Sequence, residues 1–353
     1  MLNKGGIIGI VGGGQLAKLL SMESKKLGYK THILCDSLDF PAKNDANTYT
    51  IADYNNSEKT KAFANKVDVI TYEFENLPYE TLDYLNQIKK VYPSPEILKI
   101  TQNRIHEKEF LEKINIKTSA FFPILNKDDI NDCIKKISNY PLVIKTAKSG
   151  YDGKGQKTLK NEKDIYAAWS SLGEVPCIIE QFINFQCEIS VIVVRDINGK
   201  IECFEPIENI HTNHILDTST VPAAITKTVA LNAETIAKEI AQKLEYVGTM
   251  CVEFFVDKNQ NVLVNEIAPR VHNSGHLTIE AFNTNQFEQH LRAVANIPLK
   301  SIERINKAKM KNIIGLNVEE FTKKIDKTNA TIYNYGKTEV RANRKMGHIT
   351  YIS

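Results

Sequence analysis

Several features that mark common protein classes are missing from this sequence. Its 353 residues carry 45 basic and 42 acidic side chains, a net charge of +3, so no charge excess points to nucleic acid as a partner. The apolar run within residues 1–14 is broken by glycines and is too short for a signal-peptide core or a membrane span. We therefore expect a cytoplasmic protein that binds neither nucleic acid nor membranes.

Two kinds of motif are absent as well. The six cysteines include no C-x-x-C pair, and four of them lie among apolar, strand-like residues. We expect them to be structural thiols of a reducing compartment. The phosphate-binding pattern G-x-x-x-x-G-K-[ST] does not occur either. Any nucleotide must therefore be held by another kind of loop.

What is present fits a globular protein of two to three domains. Hydrophobic residues make up 42% of the chain and charged residues 25%, which is ordinary for such a protein. In the first hundred residues, strand-like runs at 7–11, 31–35 and 67–71 alternate with helical patterns. This alternation indicates a doubly wound, Rossmann-like parallel sheet. A proline-stiffened stretch follows, and we place the end of the first domain near residue 97, so that it spans residues 1–97.

Beyond residue 97 the pattern changes to hairpins with a few helices. One helix is predicted over residues 96–114 and another over 233–246, with Gly248 as its C-cap. We expect an α+β domain over residues 98–297 and a small β-rich segment over residues 298–353. Strands of the α+β domain are predicted at residues 142–145, 177–180, 188–195, 250–256 and 262–267.

The first strand runs into three glycines, Gly12 to Gly14, just before a helix. Glycines let backbone amides approach an anion at a helix N-terminus. Asp36 lies 22 residues beyond Gly14, where an acid would meet the ribose of NAD. An NAD-dependent oxidoreductase is therefore one open alternative, although Ala17 stands at the third glycine position of that pattern.

A second glycine-rich loop is more informative. A buried strand ends at Lys145, and a loop with three glycines follows within residues 150–156. Such a loop offers backbone donors to a triphosphate, and Lys145 supplies a positive charge to the phosphates. Farther on, the strand end Glu180, Gln181, Phe182 and Ile183 is typical of a linker that clamps an adenosine, and Glu188 opens the next strand.

Two acids indicate a metal site. If the hairpin of residues 250–267 folds symmetrically about Asn259 and Gln260, Glu253 lies opposite Glu266 on the same face. Two such carboxylates repel each other unless a cation lies between them, and Mg²⁺ bound to ATP phosphates is a natural occupant. His272 with His276, and His211 with His214, could suggest a transition metal, but neither pair has an evident third ligand.

Two further segments look like substrate loops. Residues 265–276 place Arg270, two histidines, Asn273 and Ser274 directly after a strand, and arginine suits phosphate through its planar fork. The tail of residues 335–348 holds four cations in nine residues between glycines. We expect this tail to fold back and bind a phosphate.

Five motifs together resemble the 5-(carboxyamino)imidazole ribonucleotide synthase family of the ATP-grasp superfamily. They occur in order along most of the chain, as GGGQL at residues 12–16, YEFEN at 72–76, the glycine loop at 150–156, NEIAPRVHNSGH at 265–276 and RKMGH at 344–348. The resemblance implies a three-part ATP-grasp fold with a Rossmann-like N-terminal domain. It also implies ATP-dependent carboxylation of aminoimidazole ribonucleotide by bicarbonate, through carboxyphosphate, in purine biosynthesis.

The resemblance assigns roles to individual residues. Glu253 and Glu266 would bind Mg²⁺, while Tyr151, Asp152 and Lys345 would be catalytic. The ribonucleotide would be held by Gln15, Tyr72, Glu73, Arg270, Asn273, Ser274, Lys337 and Arg344. ATP would be held by Arg104, Lys145, Gly150, Tyr151, Asp152, Gly153, Lys154, Gly155, Gln156, Glu180, Gln181, Phe182, Ile183, Glu188, His211, Asn265 and Glu266.

The chain departs from the family pattern at two positions. Ala268 stands where many ATP-grasp enzymes have a metal-binding Asn, and Val271 stands where this branch usually has Pro. Three alternatives stay open: a related purine ligase with another acceptor, an NAD-dependent oxidoreductase, and a nucleotide-sensing module without turnover. The resemblance further implies a homodimer and a functional coupling to the mutase that uses the product.

Overall fold

The computed structural model describes residues 1–136, 139–150 and 155–353. Its first part is a parallel sheet, as the alternating pattern predicts, and it has four strands in the order β3-β2-β1-β4. The third strand in chain order was not predicted, because its residues are polar and half exposed. The elements are β1 (Ile7–Val11), α1 (Gln15–Leu27), β2 (Lys30–Cys35), β3 (Thr48–Ile51), α2 (Ser57–Ala64), β4 (Val69–Tyr72) and α3 (Tyr79–Ile88).

The single helix predicted over residues 96–114 is wrong, because the structure has two helices there, α4 (Pro95–Thr101) and α5 (Arg104–Lys113). The break has a local cause. The Asn103 side chain accepts a hydrogen bond from the Ile105 amide at 3.0 Å and so caps the second helix. The Gln102 side chain donates to the carbonyl of Leu77 at 2.6 Å, which ties the break to the first domain.

A four-stranded antiparallel sheet follows, in the order β5-β8-β6-β7. Its two helices cover one face, where Trp169 and Ile165 pack against the apolar residues of the strands. This small layer carries the lysine strand and the adenosine linker predicted from sequence. Its elements are β5 (Phe121–Ile124), α6 (Lys127–Lys136), β6 (Leu142–Thr146), β7 (Gln156–Leu159), α7 (Lys163–Ser171) and β8 (Cys177–Gln181).

The largest sheet has the order β14-β13-β9-β11-β12-β15-β17-β16, with one short strand paired at its side. Its last three strands come from the C-terminal segment after residue 298, and the strand that follows the basic tail folds back between the other two, as expected. The elements are β9 (Phe185–Arg195), β10 (Ile201–Cys203), β11 (Ile207–Thr212), β12 (Ile215–Val221), α8 (Lys227–Lys243), β13 (Gly248–Asp257), β14 (Val262–Ala268), the 3₁₀ helix η1 (Asn273–Leu277), α9 (Thr278–Ala281), α10 (Gln286–Val294), β15 (Ala308–Ile314), α11 (Val318–Thr322), β16 (Ala330–Asn334) and β17 (Lys345–Ile352).

The predicted bounds of the long helix are also wrong. The helix α8 begins six residues earlier than predicted and ends at Lys243, with Leu244 as its C-cap. Gly248 therefore does not cap it but opens β13 at a φ of +124°. The start was missed because the Thr226 side chain, which accepts from the Val229 amide, is the N-cap, and the first turn carries few apolar residues.

The sheets share their cores. The apolar face of α1, with Leu16 and Leu20, packs in one cluster with Phe287 and Leu291 of α10. The helix α10 also packs on β13 and β9 of the large sheet, so it joins the first sheet's helix α1 to the large sheet. The parallel sheet with helices and the two antiparallel sheets together confirm the predicted α/β and α+β class, while the domain boundaries near residues 97 and 297 stay predictions.

Among the residues that the structure describes, none of the helices is both long and apolar enough to cross a bilayer. All six cysteines are free thiols, and four of them are buried.

Candidate active site

The two acids singled out from sequence lie opposite each other on neighbouring strands. Glu253 of β13 pairs directly with Glu266 of β14. The symmetric hairpin assumed for this prediction does not hold up to the turn, because Phe254 pairs with Val264 and the register shifts by one residue next to Glu253. Asn265 is thus the extra residue of a β-bulge, and this bulge places Glu266 directly opposite Glu253.

The surroundings of Glu253 disfavour the ionised form of its carboxylate. Burial, and then the charge of Glu266, raise the pKa of Glu253 to about 8. The same two causes raise the pKa of buried Glu107, from α5, to about 8. Three acids so close together need a cation to be ionised at once, and hard oxygen donors suit Mg²⁺. The residues present therefore fit a Mg²⁺ site at Glu253 and Glu266.

A chain of ion pairs connects the lysine strand to this hairpin. The Lys145 ammonium forms an ion pair with Glu180, and Lys108 binds the same carboxylate at 3.1 Å. Burial alone would raise the pKa of Glu180, but the two lysines lower it to about 2. Lys108 also donates to the carbonyl of Asn265 at 3.0 Å, so it reaches the bulge itself.

Sequence reasoning missed Lys108. The side chain is 2% exposed and lies one helical turn after Arg104, on the same face of α5. The available signal was the R-x-x-E-K pattern of residues 104–108, which places three charges where an amphipathic helix would bury one face. A charged stripe on the inner side of a helix is typical of a site rather than of a core.

Arg104 lies where the resemblance implied, at the base of the glycine loop. Its guanidinium donates to the carbonyl of Thr146 at 2.9 Å and to that of Gly150 at 2.6 Å. At the far end of the loop, Gly155 has a φ of +71°, and a Cβ there would meet the Thr146 hydroxyl at 2.7 Å. The four loop residues predicted to touch the phosphates or the reacting amine, Tyr151, Asp152, Gly153 and Lys154, lie outside the described residues.

The adenosine linker ends β8. Gln181 and Phe182 continue the strand through backbone bonds to the carbonyls of Ala120 and Pro141. The Phe182 ring is 44% exposed, Ile183 is half-buried and the side chain of Gln156 faces His214 at 3.4 Å. An exposed aromatic ring beside a strand end leaves an apolar surface on which a base can stack.

Glu188 and His211 form a pair on the neighbouring strands β9 and β11, with the His211 Nδ1 atom 2.7 Å from the carboxylate. Burial lowers the pKa of His211, but the hydrogen bond to Glu188 and the charges of Glu253 and Glu266 outweigh it and raise the pKa overall. The prediction that both residues face the same site fits this arrangement.

The first glycine turn holds one of the protein's own carboxylates. Buried Glu73 accepts a hydrogen bond from the Gly14 amide at 2.9 Å. A Cβ on Gly14 would lie 2.6 Å from that carboxylate. Because the anion position at the start of α1 is filled from within, the turn has no room for a pyrophosphate there. This observation removes the structural basis of the oxidoreductase alternative.

Arg270 pairs with an acid of the first domain. Its guanidinium contacts both carboxylate oxygens of Glu75, one of them at 2.8 Å. Although burial would raise the pKa of Glu75, the arginine lowers it. Gln15 begins α1, and within the described part of the chain the hydroxyl of buried Tyr72 has no hydrogen-bond partner. The Glu75 pair places Arg270 at this polar edge of the parallel sheet.

The remaining predicted substrate residues come from η1 and from the loop between the last two C-terminal strands in chain order. Buried Asn273 accepts a hydrogen bond from Asn312 at 2.6 Å. Lys337 donates to the carbonyl of Lys345 at 2.6 Å, and Arg344 donates to that of Glu339 at 2.8 Å. The tail thus brings its cations together on one loop, which follows β16 and precedes β17.

One further group of possible metal ligands was not expected. The ligand atoms of Cys251, Glu253 and His272 lie within 4.8 Å of one another, so His272 is grouped with these residues and not with His276. Burial raises the pKa of the Cys251 thiol well above its ordinary value and lowers that of His272 well below. A thiol that stays protonated is a poor ligand, so the two acids fit a metal better than this group does.

Comparisons with known proteins agree with the geometry. The description "ATP-grasp domain" matches residues 109–287, "ribonucleotide synthetase preATP-grasp domain" residues 6–102, and "phosphoribosylaminoimidazole carboxylase C-terminal domain" residues 308–353. The fold and the site therefore define an ATP-grasp enzyme, an ATP-dependent ligase.

Relatives that match over nearly their whole length show which family of this class the chain belongs to. N5-carboxyaminoimidazole ribonucleotide synthases of Bacillus subtilis (strain 168) and Brucella melitensis biotype 1 are 39% and 41% identical, cover 99% of this chain, and are covered over 92% and 97% of their own length. The chain belongs to the N5-carboxyaminoimidazole ribonucleotide synthase family.

Solved structures give the same family. The Staphylococcus aureus N5-carboxyaminoimidazole synthetase complexed with ADP matches with a TM-score of 0.94 at 37% identity, over 100% of this chain and 94% of that one. The Aspergillus clavatus synthase in complex with ADP and 5-aminoimidazole ribonucleotide matches with a TM-score of 0.91 at 26% identity, over 99% and 94%.

Proposed function

We propose that this chain joins bicarbonate to the exocyclic amine of 5-aminoimidazole ribonucleotide and consumes one ATP in doing so. The products are 5-(carboxyamino)imidazole ribonucleotide, ADP and phosphate, and the place of the reaction is purine biosynthesis. The observation that carries the proposal is the register of Glu253 against Glu266 in a chain that matches a member of this family over 92% of that member's length.

The chemistry asks for charge neutralisation more than for a strong base. In the first step a bicarbonate oxygen attacks the γ-phosphorus of ATP, the bond to ADP breaks, and carboxyphosphate forms. In the second step the amine attacks its carbonyl carbon and phosphate leaves. Glu253 and Glu266 would hold Mg²⁺, which supplies neutralisation of phosphate charge.

Cationic side chains of the protein would neutralise the remaining phosphate charge. Lys145 is held by Glu180 at the strand end beside the glycine loop, where an ammonium can stabilise charge on the transferring phosphoryl group. Arg104 fixes the carbonyls at the start of the loop. A closed loop would keep water from labile carboxyphosphate, and Asp152, with Tyr151, is our candidate for taking the proton of the amine.

The ribonucleotide belongs between the first sheet and the C-terminal loop. In this proposal Asn273, Ser274 and Arg270 would contact it from one side, and Lys337, Arg344 and Lys345 from the other. Because Glu75 already pairs with Arg270, we assign the 5′-phosphate mainly to Lys337 and Arg344, and place Lys345 near the reacting centre. We further propose that the protein is a cytoplasmic homodimer. It would be functionally coupled to the mutase that consumes the product.

A substrate panel tests the function. ADP release from Mg·ATP should require both bicarbonate and 5-aminoimidazole ribonucleotide, and formate or glycinamide ribonucleotide should not replace them. Glu266→Gln, which keeps the size of the side chain but removes the negative charge that would hold Mg²⁺, should abolish that release. ADP formation without the ribonucleotide, or with glycinamide ribonucleotide instead, would assign the chain another acceptor.

A further inference from the structure

A row of buried polar side chains crosses the large sheet and ends at the metal carboxylate. Ser219 on β12 contacts Asn209 on β11 at 2.8 Å, and Asn209 contacts Ser190 on β9 at 2.9 Å. Ser190 contacts Ser274 of η1 at 2.8 Å, and Ser274 contacts the Nδ1 atom of His272 at 2.9 Å. The last link is from the Nε2 atom of His272 to Glu253, at 3.2 Å. The row therefore runs Ser219, Asn209, Ser190, Ser274, His272, Glu253.

The direction of every link follows from one backbone amide. The Ser274 N–H lies 3.3 Å from the Nδ1 atom of His272 and can only donate. Nδ1 is therefore an acceptor, so the ring proton is on Nε2 and points at Glu253. The Ser274 hydroxyl must also donate to Nδ1, and it then accepts from Ser190.

The outer part of the row continues in the same sense. Since Ser190 donates to Ser274, it accepts from the Asn209 amide group, and the Asn209 carbonyl oxygen accepts from Ser219. Each hydroxyl and amide group in the row therefore donates one hydrogen bond to the next member in the direction of Glu253. Hydrogen bonds aligned in this way polarise one another, and the positive end of each dipole points to Glu253.

The row is built into the sheet. Ser190 lies directly across from Glu253 on the neighbouring strand, and Asn209 lies directly across from Ser219. The four outer members are at most 5% exposed. Burying so many polar groups is costly unless they are fully paired.

We propose that His272 is a positioning residue for the metal site. It holds one oxygen of the Glu253 carboxylate so that the other oxygen faces the cation, and the row behind it fixes the tautomer and the ring orientation. Outer partners of metal ligands commonly act in this way. The inference rests on the proposed function, since it takes Glu253 to be a Mg²⁺ ligand.

The test compares two replacements of His272. His272→Leu removes the donor to Glu253, whereas His272→Gln keeps an N–H at a similar reach. Mn²⁺ binding to the nucleotide-free protein, measured by the electron paramagnetic resonance of free Mn²⁺, should weaken about tenfold or more in His272→Leu and recover to within about threefold in His272→Gln. The Mg²⁺ concentration for half-maximal ADP formation should move in parallel.

Two further variants separate the row from general damage. Ser274→Ala removes one donor to Nδ1 but keeps the backbone one, so its loss of Mn²⁺ affinity should lie between those of wild type and His272→Leu. The matched control is His32→Leu, because His32 is also a buried histidine with both ring nitrogens hydrogen-bonded, to Thr48 and Thr50. It should leave Mn²⁺ binding unchanged.

The outcomes are distinguishable. If His272→Leu and Ser274→Ala lower the turnover rate but leave Mn²⁺ binding intact, His272 acts elsewhere and the inference is wrong. If wild type itself shows no dependence of ADP formation on Mg²⁺, the proposed function fails instead. Should His272→Leu not fold, ¹⁵N spectra of the wild-type ring decide, because a proton on Nδ1 would contradict the row.

Discussion

At the scale of single residues, the site depends on a few buried charges that are neutralised by each other. Glu180 is the clearest example, since it receives both Lys108 and Lys145 and its own side chain is 5% exposed. Removing one member of such a group leaves the others buried without a partner, which costs more than the group contributes when intact.

The pKa of Glu180 makes this testable. The pKa of Glu180 is about 2 in the folded state, below the ordinary value of 4.5. The ionised carboxylate therefore stabilises the fold above pH 4.5, and this stabilisation is lost as the pH falls from about 4.5 to 2. Glu180→Gln should therefore lower the free energy of unfolding by about 3–5 kcal/mol at pH 7, and the difference from wild type should shrink over that acid range. Urea unfolding from pH 7 to pH 3 measures it.

The control for this experiment is an exposed pair. Asp132 and Lys135 are 60% and 74% exposed, so Asp132→Asn should change stability by less than about 1 kcal/mol at any pH. If the difference in the free energy of unfolding between wild type and Glu180→Gln stays constant down to pH 3, the lysines do not stabilise the ionised carboxylate.

Residue patterns predicted much of the site, and the misses have physical reasons. Glu253, Glu266 and Lys145 could be found because strand ends and hairpin symmetry are local, whereas Arg104 was named only through the family resemblance. The pairing of Arg270 with Glu75, and the role of Lys108, could not, since they join residues far apart in the chain whose approach depends on how two sheets pack. The row from Ser219 to His272 is invisible for the same reason.

At the scale of elements, turns and bulges decide where functional groups lie. The bulge at Asn265 corrects the register beside Glu253, and its carbonyl groups are bound by Lys108. The glycine turn before α1 is shaped around Glu73 and Phe74. Helix ends were harder to predict than strands, because the caps Asn103 and Thr226 are single polar residues without a strong apolar pattern beside them.

Two glycines with similar backbone angles give a matched test of the turn. Gly12 has a φ of +100° and Gly28 a φ of +82°, but a Cβ on Gly12 would lie 2.6 Å from the Glu73 side chain, whereas the nearest atom to one on Gly28 is 4.0 Å away. Gly28→Ala should cost about 1–2 kcal/mol of stability from strain alone. Gly12→Ala should cost about 1–3 kcal/mol more, as measured by urea unfolding, and equal costs would contradict the tight packing of Glu73.

At the scale of the whole molecule, the first sheet is joined to the rest by a shared core as well as by polar contacts. Leu291 of α10 is fully buried in the cluster that contains Leu16 and Leu20 of α1. The hydroxyl of Thr71 also contacts the buried His290 at 2.8 Å. The residues predicted to bind substrate on both sides of this core are thereby held in one frame.

Truncating one side of this core should loosen the other. Leu291→Ala should cost about 2–5 kcal/mol and raise amide hydrogen exchange in α1 and β1, although these elements are more than 250 positions away in the chain. Ile240→Ala in α8 is the control, because Ile240 is equally buried but belongs to the core under the large sheet. Exchange in α1 that responds equally to both variants would mean that the two cores are not distinct.

The transfer of a bicarbonate oxygen tests the central claim most directly. With ¹⁸O-labelled bicarbonate, Mg·ATP and 5-aminoimidazole ribonucleotide, the account predicts one ¹⁸O atom in each phosphate released, because carboxyphosphate gives up the bridging oxygen that came from bicarbonate. Phosphate without label, formed together with the carboxylated ribonucleotide, would contradict activation of bicarbonate by ATP.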